Sequence, residues 1–92
     1  MSERLSPGRT TWQYGLELTL DNTRTVALSP FMAQCRRAVR LDDKAIGEVR
    51  RIEHGRGGFR WQYMSESGWC DPKSGVKLRD AVLSVIEQEE SR

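Results

Sequence analysis

The sequence predicts an α+β fold: a four- to five-stranded antiparallel sheet with two helices on one face, in the order β-β-α-β-β-(β)-α. Three observations carry this. Trp12, Tyr14, Leu16, Leu18 and Leu20 alternate with Thr11, Gln13, Gly15, Glu17 and Thr19, the period of a strand with one buried face. Phe59, Trp61 and Tyr63 alternate in the same way with Arg60, Gln62 and Met64. Two other stretches, beginning at Phe31 and Leu78, carry apolar residues at helical spacing instead.

Taken in order, residues 1 to 10 are polar and broken by Pro7-Gly8, and are expected to form a flexible arm ahead of a single domain over 11–92. The strand from Thr11 to Leu20 runs into "DNTR", whose Asp21 and Asn22 tolerate positive φ, and "TVAL" reads as the return strand. Ser29-Pro30 suits a helix start, with serine as cap and proline in the first turn. Phe31, Met32, Cys35, Ala38 and Val39 would form the apolar stripe of that helix, ending near Leu41. "AIGEVRRIE" reads as a strand, "HGRGG" as a turn, residues 58 to 64 as the next strand and "SESG" as a second turn. A short strand at Trp69–Asp71 and a break at "PKSG" precede a C-terminal helix marked by Leu78, Ala81, Val82, Val85 and Ile86. Its acidic end "EQEE" opposes the helix dipole and is expected to fray.

The chain has 92 residues and a formal net charge of +2. No apolar run approaches the ~18 residues of a membrane span, and the first ten residues lack a signal-peptide core. Cys35 and Cys70 lack metal or redox spacing, so they read as buried thiols. The expected compartment is the cytoplasm. From Arg36 to Arg60 there are eight basic residues against four acidic ones, and the balance reverses after Asp80.

Catalytic chemistry finds little material. His54 is the only histidine and falls in a turn, and one histidine with two distant cysteines makes no tetrahedral metal site. Asp42-Asp43 beside Lys44 read as turn solvation. The expectation is a protein that is not an enzyme and uses no cofactor, metal or small-molecule substrate. "HGRGGFRW" is followed by a strand, not the helix that a phosphate loop requires. It is therefore a hairpin turn that lifts Arg56 to an exposed tip.

The basic cluster is the candidate contact surface. Arg36, Arg37 and Arg40 would share one flank of the first helix. Arg50 and Arg51, consecutive in a strand, would point to opposite faces. Arg60, Gln62 and Met64 would lie on the sheet face away from the helices, together with Gln13 and Glu17. Trp69 is a core residue or a partner anchor. The expected partner-binding set is thus Arg36, Arg37, Arg40, Arg56, Arg60, Gln62, Met64 and Trp69.

The segment "GGFRWQYMSESGWCDPKSGVKLRDAVLSVIEQE" resembles the three-stranded sheet and helix of phage integrase arm-binding domains, with "VKLRDA" where those domains open their helix. By that resemblance Arg60 and Gln62 would face nucleic acid. In size, absence of a catalytic set, basic middle and acidic end, the whole chain is similar to anti-CRISPR proteins that bind the type I surveillance complex and stop it capturing target DNA. That family shares no sequence motif, so it assigns no residue here. The function expected is a non-enzymatic, phage-type inhibitor of a host protein or ribonucleoprotein machine. The alternatives are a small nucleic-acid-binding regulator or recombination accessory factor, for which "FRWQY" interleaves basic and aromatic residues, and a homodimeric structural subunit.

Overall fold

The computed structural model describes residues 5–11, 15–20 and 23–91. Among the described residues seven strands follow one another, each pairing antiparallel with the next: β1 (Leu5–Thr11), β2 (Gly15–Leu20), β3 (Arg24–Leu28), β4 (Arg36–Leu41), β5 (Lys44–His54), β6 (Gly58–Ser65) and β7 (Gly68–Cys70). Helix α1 (Leu78–Glu90) follows the last strand. The fold is α+β, with a larger sheet and one fewer helix than the sequence predicts. Trp12, Gln13 and Tyr14 lie outside the described residues.

The expected first helix is a strand. Ser29 and Ala38 continue the β3–β4 ladder, with Ser29 N donating to Ala38 O at 3.0 Å and Ala38 N to Ser29 Oγ at 2.8 Å. The serine that looked like a helix cap therefore caps a hairpin. Only Ala33–Cys35 forms a 3₁₀ turn, closed by Met32 N donating to Arg36 O, with Gln34 and Cys35 at positive φ. The helix formers Arg36, Arg37 and Ala38 are overridden by pairing with β5, and the strand continues into Val39–Leu41, which pairs with β3 as well. Val39 and Leu41 are buried on the face that alternation assigns them.

The N-terminal arm is likewise replaced over much of its length, because Leu5–Thr11 pairs with β2. The thiols are free, but Cys35 is exposed and Cys70 half-buried, so neither is the buried group expected.

The core lies between one sheet face and α1. Leu20, Val26, Leu28, Val39, Leu41, Ile46 and Val49 project from the sheet, and Ala81, Val82, Val85 and Ile86 from the helix. Gly47 lets the two layers meet, since a Cβ there would stand 2.8 Å from Val85 Cγ1. Asp80 accepts from the Lys77 backbone N–H at 3.0 Å, capping the helix start. The helix runs through its acidic end to Glu90, and that end meets cations of the sheet. Glu89 pairs with Lys44 at 3.2 Å and Glu90 with Arg24 at 3.4 Å. These cations offset the unfavourable meeting of acidic side chains and the negative end of the dipole.

The β4–β5 hairpin turns on Asp42 and Asp43, both at positive φ as a two-residue reverse turn demands. Asp42 accepts from Arg24 Nε at 2.9 Å and from Thr25 N at 3.0 Å, and the Arg24 bond, then the backbone bond, hold its carboxyl below the usual range. At the β5–β6 turn, Gly55 and Gly57 take positive φ on either side of Arg56.

Candidate interaction surface

Strand alternation and register sort the candidate side chains by face. Arg36 pairs with Arg50, and Arg50 with Gln62. Met64 pairs with Trp69. Arg36, Arg40, Arg60, Gln62, Met64 and Trp69 therefore share the sheet face opposite α1. The remaining two members of the predicted set do not join them. As a strand residue next to Arg36, Arg37 turns to the helix side, which corrects the shared helical flank. Arg56 stands exposed at the hairpin tip.

On the open face the side chains form a network. The Arg50 guanidinium donates to Gln62 Oε1 from Nε at 3.0 Å and from Nη2 at 2.8 Å. Gln62 in turn donates through Nε2 to Asp71 Oδ1 at 3.0 Å. Asp71 also lies 3.7 Å from Arg60 Nη1, while Arg60 Nε is buried with no hydrogen-bond partner. The Arg50 guanidinium carbon sits 4.6 Å above the Trp69 ring centroid. One strand over, Arg36 Nη1 donates to Glu48 Oε1 at 2.9 Å. Gln62 is only 8% exposed, roofed by its neighbours, where the sequence placed it in contact with solvent or a partner. Arg40 is exposed and makes no ion pair among the described residues.

Sequence reading missed Arg50, which ties this network together, because it gave no cross-strand register. The signal was nevertheless present: the Gly55–Gly57 turn sets His54 opposite Gly58, and counting back puts Arg50 opposite Gln62.

A second cluster lies on the helix side of the sheet. Trp61 and Tyr63 pack against the core there, but Phe59, expected to be covered with them, is 53% exposed. The Phe31 ring centroid lies 5.9 Å from that of Trp61. Arg37 is stacked on Phe31 at 4.7 Å, and Arg51 on both Phe31 and Phe59 at 4.9 and 4.3 Å. Burial lowers the Arg37 pKa from its ordinary value. Its Nε donates to Ser29 O at 2.8 Å.

A groove of about 330 Å³ runs beside α1, lined by Tyr63, Lys73, Ser74, Leu83, Ser84, Glu87, Gln88 and Ser91. Its Ser84 and Ser91 hydroxyls donate to the Asp80 and Glu87 carbonyls, so neither is poised on a base. Among the described residues no group of three or more His, Cys, Asp or Glu is placed to hold a metal ion. No helix there is long and apolar enough to cross a membrane.

No protein-family model, curated protein or solved structure matches this chain.

Proposed function

We propose that the chain acts by binding, as a non-enzymatic inhibitor that docks its open sheet face on a host protein or ribonucleoprotein machine. The observation that carries this reading is the network of Arg50, Gln62, Asp71 and Arg60 with Trp69 stacked beneath Arg50. Such side chains are fixed before a partner arrives, so little rotamer freedom is lost on association. Arginine and tryptophan are also the residues that anchor interfaces.

The charge pattern favours a protein surface over bare nucleic acid. Arg36 and Arg60 already face Glu48 and Asp71, so carboxylates are set among the arginines of this face, which weakens it as a basic track for phosphates. A standard-size contact needs about 800 Å² from each partner, within reach of one sheet face. By the resemblance in size and character alone, the type I CRISPR surveillance complex is the first partner to try, and the bacterial cytoplasm is where that encounter would take place.

The test adds purified protein to a surveillance complex and measures capture of labelled target DNA. Loss of capture, relieved by Arg40→Ala or Trp69→Ala, supports the reading. Undiminished capture removes that complex as the partner. In parallel, anisotropy with free DNA and RNA at about 50 and 200 mM salt decides the partner class. Tight binding that collapses at the higher salt would replace the inhibitor reading with a nucleic-acid module.

A further inference from the structure

Among the described residues, three of the four exposed large apolar side chains converge on one place: Phe31, Phe59 and Val76, at 49%, 53% and 46% exposed. Phe31 packs on Trp61, Phe59 precedes Trp61 by two residues on the same face, and Val76 O accepts from Trp61 N at 2.8 Å; Met32, bridged to Arg36, belongs to the other face. Into this patch are set the guanidinia of Arg37 and Arg51.

These two arginines differ from Arg36 and Arg60 of the open face. Arg36 and Arg60 each face a carboxylate. Arg37 uses only Nε, on a backbone carbonyl, and Arg51 has no hydrogen bond or ion pair among the described residues. Glu53, exposed on the same side of β5, pairs with neither. Stacking fixes the guanidinium planes while leaving N–H edges open, the geometry that takes a carboxylate in a fork.

We propose that Phe31, Arg37, Arg51 and Phe59 form a second binding site, independent of the open face, for an acidic apolar segment of a partner protein. A carboxylate of that segment meets the Arg51 and Arg37 edges, and an adjoining aromatic or aliphatic side chain covers Phe59. A stacked nucleobase fits less well, because Phe31 already carries both guanidinia against its ring.

The test follows the arginine Nε–H signals of the full chain by NMR. The probes are a pool of short Asp/Glu-plus-aromatic peptides, their Asn/Gln counterparts, and an oligothymidine. The acidic peptides should shift the Arg37 and Arg51 signals, and the amide counterparts should bind more weakly by on the order of tenfold. Arg51→Gln and, separately, Phe59→Ser at its exposed position should each weaken binding by a similar factor, about tenfold. Arg40→Gln, on the other face, should leave it unchanged even if the open face has no partner. Unmoved arginine signals, equal binding of the amide peptides, or tighter binding of the oligothymidine would overturn the proposal.

Discussion

Arg50 lies over Trp69 with its guanidinium carbon 4.6 Å from the ring centroid, while the same group donates twice to Gln62. Stacking and forked donation both need a planar guanidinium, which lysine does not offer. Arg50→Lys should therefore destabilise the fold by about 1 kcal/mol despite keeping the charge. In a double-mutant cycle with Trp69→Leu, the coupling should be about 0.5–1 kcal/mol by urea denaturation. Additive losses would mean that the stack contributes nothing to stability.

Gln62 joins a cation to an anion beneath that stack, accepting from Arg50 and donating to Asp71. Gln62→Leu fits the strand but strands both partners, so a loss of about 1–3 kcal/mol is expected. Pairing it with Arg50→Met removes the orphaned cation, and the double variant should recover part of that loss. Equal stability of Gln62→Leu and wild type would show that solvent satisfies the network equally well.

Gly47 stands where α1 crosses β5, and a Cβ there would be 2.8 Å from Val85 Cγ1. Gly47→Ala should lower stability by about 1–3 kcal/mol through overpacking. Val85→Ala in the same chain opens the space, so the two changes should cost less together than their sum. Full additivity would place the strain elsewhere.

Much of the sheet was legible because its signals are local. Strict alternation over residues 15–20 and 58–64 and the Gly55–Gly57 turn each specify a strand or hairpin without reference to distant residues. The stretch around Arg36 to Leu41 was not, because its composition suits a helix and only pairing on both edges makes it a strand. That single reassignment also redirects the site. In a helix Arg36, Arg37 and Arg40 share a flank, whereas in β4 Arg37 leaves the other two and joins Phe31. The second cluster was illegible for a related reason: Phe31, Arg51 and Phe59 are distant in sequence and meet only through strand register and the loop before β4. The cations that meet the helix end, Lys44 and Arg24, were not legible as its partners because they come from distant strands.

Asp42 links the β4–β5 turn to β3 through Arg24 Nε and Thr25 N, and these bonds lower its carboxyl pKa, the Arg24 bond most. In the unfolded chain the carboxyl titrates near about 3.9. Its contribution to stability is thus fully present above that value and is lost as pH falls through the lower folded one. The substitution Asp42→Asn would keep the left-handed turn, since asparagine tolerates positive φ, and remove only the charge. Denaturation across a pH series should show wild type above the variant by a constant margin from about pH 5 to 8, closing below about pH 4. A margin that persists unchanged to about pH 2 would mean that the ionised carboxyl is not what holds the turn to β3.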